Sequence, residues 1–426
     1  MLVIKNGLVI DPKSKIEDKM DIVIDKKKIV QIEKDIDINT LVSESLKIID
    51  ASGKIVAPGL VDVHAHFRDP GYTYKGDLDT ESRAAKKGGY TTVVLMANTK
   101  PVGDSKEIIS YIYNNAQVLP IHIKTCSTVT KNMDGFELTD METLKEAGAV
   151  GFTDDGRPIL SEEVLEKAMR KTAQLGVPIS LHEEDPQYIK NNGISDDMAN
   201  AFFYIEGATS KSEYSMIERD LEIALKTNAI LNIQHVSAKE SVDLIRRARK
   251  KSKRIYAEAT PHHFSMTEED IRTKGTLAKV NPPLRSEEDR RAIIQGLKEN
   301  VISIIATDHA PHTIEEKEQD FFKAPSGIIG LETALSLGLK NLVETGDLTL
   351  MELLEKMTCN PAELYQLDAG ELRVGGPADI VVFSETENEE YTHCASKSRN
   401  TPFIEAVLPG VVYFTIMDGT IVYQKE

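Results

Sequence analysis

Cysteine is scarce in this chain, which has only Cys126, Cys359 and Cys394 among its 426 residues. The three lie far apart in sequence and form no CxxC pair. The sequence therefore excludes both a disulfide framework and a zinc site built from cysteines. Such cysteine usage is typical of a reducing compartment, and we expect a cytoplasmic protein.

Positive charge is also in short supply. The chain has 51 Lys and Arg residues against 68 Asp and Glu residues, which gives a formal net charge of −17. Nucleic acids and anionic membranes bind basic surfaces, so neither is an expected partner. An anionic small molecule would need positive groups placed locally in its binding site.

Long apolar runs are missing as well. No run reaches the length of about 20 residues that a transmembrane helix needs. The first residues, Met1 to Leu8, are too short and too interrupted by polar residues to predict a signal peptide.

Both ends of the chain have the pattern of short β-strands. Apolar and polar residues alternate in residues 2–10, 21–30 and 46–50, and again in residues 378–383 and 411–423. Asn-Gly and charged residues indicate the turns. We expect one small β-sandwich module formed by residues 1–56 and 366–426.

Between the two ends, eight apolar runs alternate with helical stretches. The runs are residues 59–63, 91–96, 121–125, 149–153, 177–181, 230–234, 255–259 and 302–306. Several intervening stretches, such as 163–169 and 292–297, have apolar residues at the spacing of a helix. Eight strand-helix units of this size predict an α/β fold, a (β/α)₈ TIM-type barrel over residues 57–365.

Eight of the ten histidines lie at or just after the C-terminal ends of these runs. They are His64, His66, His182, His235, His262, His263, His309 and His312. All strands of such a barrel end at one rim, so we expect these side chains to converge there. His64 and His66 are two residues apart and should project from the same face of their strand.

Carboxylates end two further runs at the same predicted rim. The candidate metal ligands are His64, His66, His182, His235, the Asp154-Asp155 pair and Asp308. Four imidazoles with two carboxylates suit one or two Zn²⁺ ions that share a bridging oxygen ligand. The alternative for each histidine alone is a buried, hydrogen-bonded side chain, but their common placement favours a metal site.

Asp308 is the natural candidate for a catalytic base, since water activated by a metal needs a nearby group to take its proton. The alternatives are a plain metal ligand or a group that orients a histidine, and these roles are compatible with one another.

Taken together, these residues resemble class I dihydroorotases of the amidohydrolase superfamily over nearly the whole chain. His-x-His alone marks only the superfamily, whereas His-Phe-Arg-Asp-Pro-Gly and Asp-His-Ala-Pro-His are specific to this branch. The matching segments are Asp62-Val-His64-Ala-His66-Phe-Arg68-Asp-Pro-Gly, Met96-Ala-Asn98-Thr, Phe152-Thr-Asp-Asp-Gly, His182-Glu-Glu-Asp, Gln234-His235-Val-Ser, Asn281-Pro-Pro-Leu-Arg and Asp308-His-Ala-Pro-His312.

The resemblance implies a homodimeric zinc enzyme of de novo pyrimidine (UMP) synthesis. Its reaction would be the reversible hydrolysis of the cyclic amide of (S)-dihydroorotate to N-carbamoyl-L-aspartate. By the same resemblance, His64, His66 and Asp155 would hold one zinc ion, while Asp155, His182 and His235 would hold the other. Asp308 would ligate or face the first ion and shuttle the proton.

The resemblance also selects Asp155 over Asp154 as the bridging ligand. Many relatives use a carboxylated lysine at the fourth strand, but no lysine lies between Val150 and Leu160. The bridge should therefore be an aspartate.

The substrate carries a carboxylate, which a planar guanidinium can grip with two hydrogen bonds. Arg68 is placed to do this; its alternative role is a salt bridge to Asp69 or Asp77. By resemblance, the substrate-binding residues are His66, Arg68, Asn98, Asn281, His312, Ser326 and Gly327.

Ser326 departs from the family pattern. Ala-Pro-Phe-Gly is usual in the loop over the pyrimidine ring, where this chain has Ala324-Pro-Ser326-Gly327. We therefore expect the loop to lack an aromatic wall and substrate affinity to change, with the reaction class preserved.

Two other functions compete with this interpretation. Another cyclic amidohydrolase, such as an allantoinase or dihydropyrimidinase, shares the expected barrel and metal centre, but Arg68 and Asn98 favour a substrate with a carboxylate. A metal-free paralogue acting as a scaffold usually lacks one or more ligands, whereas this chain has all six.

Overall fold

The computed structural model describes residues 1–41, 43 and 45–426. In the described residues the strands β1 to β15 are Leu2–Asp11, Ile16–Asp25, Lys28–Glu33, Lys47–Asp50, Ile55–Pro58, Leu60–Ala65, Tyr90–Leu95, His122–Thr125, Pro178–Leu181, Ile230–Ile233, Ile255–Ala259, Ile304–Ile305, Ile380–Glu390, Val407–Met417 and Thr420–Gln424. The helices α1 to α14 are Leu78–Lys87, Lys106–Ala116, Met141–Glu146, Glu162–Leu175, Asp196–Met198, Lys211–Thr227, Lys239–Arg249, Pro261–Ser265, Ile271–Lys274, Glu287–Lys298, Ile314–Lys317, Ala334–Gly338, Leu350–Met357 and Cys359–Leu364. None of these helices is long and apolar enough to cross a membrane.

Strands from both chain ends form one eight-stranded sheet. Its order is β15-β14-β13-β5-β1-β2-β3, with β4 paired to the first half of β1. The sheet has its own apolar cluster, to which both ends contribute, for example Ile4, Ile24 and Ile380. The exact limits 1–56 with 366–426, and 57–365, stay a prediction.

The Asn6-Gly7 dipeptide is not a turn, contrary to what the sequence pattern indicates. It lies inside β1, where the pairing register with β2 shifts between Ile4 and Gly7. Asn6 has a φ of 64°, and a Cβ on Gly7 would lie 2.4 Å from Cγ2 of Val56. The dipeptide is therefore an irregularity that lets β5 pack closely against β1.

The central part of the chain forms the expected closed parallel barrel. Strands β6-β7-β8 form one parallel sheet and β9-β10-β11-β12 another. Parallel bridges Ser127–Phe152 and Phe152–Ile179 join them on one side, and the bridge Ala65–His309 joins them on the other. The (β/α)₈ architecture is thus confirmed.

The fourth strand of the barrel is much shorter than its apolar run suggests. Only Phe152 makes bridges, although its neighbours Val150 and Thr153 also bond to the chain at Thr125 and Ser127. The chain leaves the barrel wall directly afterwards, because Asp154 accepts hydrogen bonds from the backbone N–H groups of Val129 and Thr130. The short strand brings the Asp154-Asp155 pair into the rim.

Crossover helices follow from capping and amphipathic patterning. Ser161 caps the first turn of α4 by accepting from the N–H of Val164, and Gly176 ends the helix with a φ of 69°. Its apolar side chains, including Leu165 and Met169, pack into the main core around the barrel. The predicted helical segments 163–169 and 292–297 lie within α4 and α10.

The barrel interior is apolar at one end and polar at the other. Val61, Val63 and Val94 pack there with Ile304 and with Tyr365, which follows α14. Since α14 and Tyr365 belong to this apolar cluster, the polar side chains gather at the opposite ends of the strands.

An ion pair connects the barrel to the terminal sheet. Nε2 of His122, at the start of β8, lies 3.0 Å from Oδ2 of Asp379, which precedes β13. Asp379 is buried, and its Oδ1 accepts from the N–H of Asp418. Burial alone would lower the pKa of His122, but the hydrogen bond and charge of Asp379 raise it above its ordinary value.

We expect His122→Gln to lower stability by about 1 kcal/mol at mildly acidic pH, because a partly exposed charged pair is lost. A raised folded-state pKa means that the contribution is fully present below the unfolded pKa of about 6.5 and fades as pH rises through the folded pKa. Thermal unfolding from pH 5.5 to 9 measures the difference, and His393→Gln, at an exposed site, is the matched control. A difference that grows with pH would contradict this account.

Candidate metal centre

The ends of five barrel strands place the candidate ligands around one pocket of about 170 Å³. Every site residue expected from the sequence lines this pocket except His64, which is fully buried. Several of these strand ends have strained backbone, since Arg68, His235 and Asp308 have φ values of 64°, 32° and 46°. Such strain persists where surrounding structure holds it, and it is concentrated at functional sites.

The carboxylate of Asp155 lies between two pairs of histidines. Its Oδ1 is 3.4 Å from Nε2 of His64, and its Oδ2 is 3.4 Å from Nε2 of His66. On the other side, Oδ1 lies 3.7 Å from Nδ1 of His182 and 3.8 Å from Nε2 of His235. Asp155 is therefore the one described carboxylate within 4 Å of all four imidazoles, a position from which it could be shared by two metal ions.

Asp308 lies beside the first histidine pair. Its Oδ1 is 3.0 Å from Nε2 of His66 and 3.6 Å from Nε2 of His64. Burial would raise the pKa of Asp308, but the hydrogen bond from His66 and the charge on His64 hold it below its ordinary value. The carboxylate is consequently ionised and able to ligate a cation or accept a proton.

The donor set fits a metal ion. Nε2 of His64 is buried and has no hydrogen-bond partner among the described residues, although it faces the oxygens of Asp155 and Asp308. A buried nitrogen without a partner is costly, and a cation at this point would satisfy it. Two groups, His64 with His66 and Asp308, and His64 with Asp155 and His235, have ligand atoms close enough together to hold an ion.

The pKa shifts of the histidines also indicate a site for a cation. Although burial opposes it, the charges of Asp155 and Glu258 raise the pKa of His64 well above its ordinary value. Burial would likewise lower the pKa of His182, but the hydrogen bonds that its ring donates to the carboxylates of Asp155 and Glu184 raise it to about 10. The carboxylates thus attract positive charge to this rim, which protons or metal cations can provide.

Partners behind the histidines orient their rings. Nδ1 of His64 is 3.0 Å from Oε2 of Glu258, and Nδ1 of His66 is 2.9 Å from Oδ1 of Asn98. Nε2 of His182 is 3.0 Å from Oε2 of Glu184. Sequence reasoning missed both glutamates; the one signal for Glu258 is a charged residue inside an apolar run, and Glu184 belongs to the His182 motif.

Asp154 does not take part in the cluster. Both of its oxygens bind the segment at Val129 and Thr130, through backbone N–H groups and the hydroxyl of Thr130. The geometry therefore distinguishes the two adjacent aspartates, with Asp155 in the cluster and Asp154 holding the loop.

The pocket has a positive edge opposite the carboxylates. Arg68 donates from Nε to the carbonyl of Pro311 and forms no ion pair with a carboxylate in the described ranges. The alternative salt bridges to Asp69 and Asp77 do not form: Asp69 accepts from Tyr111, and Asp77 pairs with Lys397.

His312 lies within this positive edge. Its Nε2 is 3.3 Å from Nη2 of Arg68, and its Nδ1 is 3.2 Å from Nζ of Lys75. Burial and the charges of Arg68 and Lys75 lower the pKa of His312, so the ring is neutral. An anionic group placed here would meet a free guanidinium and an uncharged imidazole.

Asn98 contacts both His66 and Asp155. It bonds to His66, and its Nδ2 lies 3.1 Å from Oδ2 of Asp155. On the far side of the pocket, Ser326 donates to Oδ1 of Asn281 at 3.0 Å, with Gly327 beside it.

Three rim histidines have no place in the cluster. His309 bonds to Glu81 and to the backbone of Gly330, and His263 bonds to Thr260 and the carbonyl of Pro282. Burial lowers the pKa of His262 to about 4. None of the three is among the candidate ligands, and His309 and His263 instead bind neighbouring segments of the rim.

Comparison with known proteins gives a consistent result. The family model described as "Amidohydrolase family" matches residues 55–422. Curated proteins named dihydroorotase from Clostridium acetobutylicum and Streptococcus thermophilus are each 50% identical, and each match covers 100% of both chains. A solved L-hydantoinase (dihydropyrimidinase) from Arthrobacter aurescens has a TM-score of 0.89 at 27% identity, covering 100% of this chain and 96% of that one. The dihydropyrimidinase from Brevibacillus agri, at 22% identity, has a TM-score of 0.84 over 99% of this chain and 95% of that one, a likeness of fold alone.

We expect Asp155→Asn and Asp154→Asn to have different consequences. The first should remove most bound divalent metal, because a neutral amide is a poor bridging ligand. The second should keep the metal but cost about 1–3 kcal/mol of stability, because two backbone donors lose a charged acceptor. Elemental analysis and thermal unfolding separate the two effects, and equal metal content in both variants would contradict the assignment.

Proposed function

The chain belongs to the amidohydrolase family and to the dihydroorotases within it, and from this premise we propose that it reversibly hydrolyses the cyclic amide of (S)-dihydroorotate to N-carbamoyl-L-aspartate in pyrimidine biosynthesis. One observation carries the proposal: the same pocket holds a carboxylate-histidine cluster and the guanidinium of Arg68, which forms no ion pair with a described carboxylate.

The hydantoinase-like structures share the fold, so the fold does not select the substrate. Identity of about half the residues over the full length supports the dihydroorotase branch. Arg68 supports it independently, because a cyclic amide without a carboxylate would leave its guanidinium unused. The convergence of all six candidate ligands argues against a metal-free scaffold.

We propose that the metal is zinc, since imidazole nitrogens and carboxylate oxygens suit this ion. His64, His66, Asp155 and Asp308 would hold one ion, and Asp155, His182 and His235 the other. Bound there, zinc polarises the ring carbonyl and lowers the pKa of the attacking water. Elemental analysis of freshly purified protein distinguishes zinc from other divalent metals.

Charge balance supports two ions over one. Four buried carboxylates touch the imidazoles: Asp155, Asp308, Glu258 and Glu184. None of the four pairs with Lys or Arg in the ranges that the structure describes. Two divalent cations carry a charge equal and opposite to that of these four groups.

In the proposed mechanism, Asp308 moves the proton. It accepts a proton from the attacking water as the carbon–oxygen bond forms at the ring carbonyl. It then returns that proton to the ring nitrogen as the carbon–nitrogen bond breaks, and the reverse sequence closes the ring. Oδ1 of Asp308 lies 3.0 Å from Nε2 of His66, so the two groups would hold the same ion.

The remaining residues hold the substrate. Arg68, with Asn98 and His312, would bind its carboxylate, while Asn281, Ser326 and Gly327 would contact the ring amide. Asn98 has a second role, because it also fixes the ring of His66. A homodimer and a cytoplasmic location stay predictions.

Asp308→Asn should reduce turnover by roughly two to four orders of magnitude, because an amide cannot accept the proton of water. The rate is measured in both directions, with metal content and unfolding temperature as controls. A variant that keeps its metal and turns over within a few-fold of wild type would remove Asp308 from the base role.

Arg68→Lys should reduce kcat/KM for dihydroorotate by about one to two orders of magnitude, since losing a charge-assisted contact costs about 1.5–3 kcal/mol. Lysine keeps the charge but loses the planar fork that grips a carboxylate. Dihydrouracil, which lacks the carboxylate, is the control substrate, and its slow hydrolysis should hardly change. Equal losses on both substrates would mean that Arg68 positions the loop or the metal centre instead.

A further inference from the structure

The buried carboxylate of Glu258 lies directly behind His64. Its Oε2 is 3.0 Å from Nδ1 of His64, and both side chains are fully buried. An ionised carboxylate can only accept hydrogen bonds, so Nδ1 must carry the hydrogen. The lone pair of the ring is then on Nε2, which faces Asp155 and Asp308.

The second oxygen of Glu258 begins a series of hydrogen bonds that runs through the barrel interior. Nδ2 of Asn232 donates to Oε1 of Glu258 at 2.5 Å and also to Oγ of Ser180 at 3.2 Å. Oγ of Ser180 lies 2.7 Å from the hydroxyl of Tyr365. We call these four residues, Glu258, Asn232, Ser180 and Tyr365, the interior chain.

The interior chain crosses three neighbouring strands, since Ser180, Asn232 and Glu258 lie on β9, β10 and β11. Each of its side chains is at most 3% exposed, so water does not compete for these hydrogen bonds. Glu258 also forms no ion pair with Lys or Arg in the described part of the chain; its ion-pair contact there is His64. Asn232 and His64 are therefore the side chains whose N–H groups stabilise its buried carboxylate.

Tyr365 anchors the far end. It follows α14 and packs among the apolar side chains of the barrel interior. Its ring has little room to move, because a Cβ on Gly151 would lie 2.7 Å from its Cε1. The interior chain thus connects the imidazole of His64 with Tyr365, whose ring is held rigidly by its packing.

We propose that the interior chain consists of positioning residues that fix Nε2 of His64 as its metal-binding nitrogen and thereby strengthen metal binding. This inference rests on the metal centre proposed above. Hydrogen-bond direction supports this, because Asn232 donates to Oε1 of Glu258, which leaves Oε2 to accept from Nδ1 of His64. Ser180 and Tyr365 hold Asn232 in place. Partners behind a ligating histidine typically change metal affinity about 10–100-fold.

Glu258→Gln tests the near end. Glutamine has one acceptor atom, whereas the chain needs two, one for His64 and one for Asn232. We expect Zn²⁺ affinity, measured against a chromophoric chelator, to fall about 10–100-fold. The absorption spectrum of the Co²⁺-substituted protein should change as well, which a general loss of stability would not cause.

Tyr365→Phe tests the far end, with Tyr90→Phe as its matched control. Both variants remove one buried phenol hydroxyl, but the hydroxyl of Tyr90 has no hydrogen-bond partner in the part of the protein that the structure describes. Tyr365→Phe should weaken Zn²⁺ binding in the same direction as Glu258→Gln but less, and Tyr90→Phe should leave it unchanged. Ser180→Ala, which breaks the chain in the middle, replaces Glu258→Gln if that variant does not fold.

The outcomes separate this inference from the proposed function. If wild type binds no Zn²⁺, the metal centre itself is wrong. If wild type binds Zn²⁺ and Glu258→Gln, or Ser180→Ala in its place, binds it equally well, the interior chain is overturned. Equal Zn²⁺ affinities of Tyr365→Phe and Tyr90→Phe would also overturn it, because the anchor would then have no effect.

Discussion

The structure depends on one electrostatic constraint: negative charge is buried at the rim of a closed barrel and must be balanced there. Asp155, Asp308 and Glu258 are all at least nine-tenths buried around His64. Burying an ion without compensation costs several kcal/mol of folding free energy. This arrangement is therefore stable only when metal cations bind the cluster or protons neutralise it. Because the ligands come from different strands, the closure of the barrel itself brings the charges together.

The positive edge of the pocket provides the local positive charge that an anionic substrate needs. A chain with a net charge of −17 repels anions on average, so an anionic substrate must be attracted locally. Lys75 is partly neutralised by Glu316, whereas Arg68 is held by a neutral carbonyl and a neutral imidazole. The guanidinium is therefore the positive group left available for a substrate carboxylate, and in the proposed binding mode the ring amide would lie beside Asn281 and Ser326 in the same pocket.

The sequence predicts what depends on periodicity and on strand ends. The barrel, the rim and the ligands follow from apolar runs that end in His or Asp, as at His64 and Asp308. It does not predict how long a strand is when hydrogen bonds to a neighbouring segment draw the backbone away from the sheet. In the fourth strand, only Phe152 makes bridges because Asp154 binds the backbone N–H groups of Val129 and Thr130. Nor does it reveal the partners inside the barrel, because Ser180 and Asn232 resemble ordinary residues of a strand until the topology places them side by side.

Ser326 shows how three-dimensional contacts change the meaning of a departure from a motif. From the sequence, an aromatic wall is missing; in the structure, Ser326 donates a hydrogen bond to its neighbour Asn281 in the pocket wall. Two buried lysines hold the backbone of this loop: Nζ of Lys279 donates to the carbonyls of Phe321 and Ala324.

Lys317 acts in the same way on the carbonyls of Pro325 and Gly327. The loop is thus fixed by its backbone, and in the proposed binding mode it would offer the substrate ring polar contacts in place of stacking. A site built from hydrogen bonds discriminates strongly against analogues that leave its buried polar groups unpaired, while an apolar wall discriminates weakly. With Ser326 and Asn281 at the ring amide, this binding mode would exchange general affinity for selectivity toward rings whose amide can pair with both side chains.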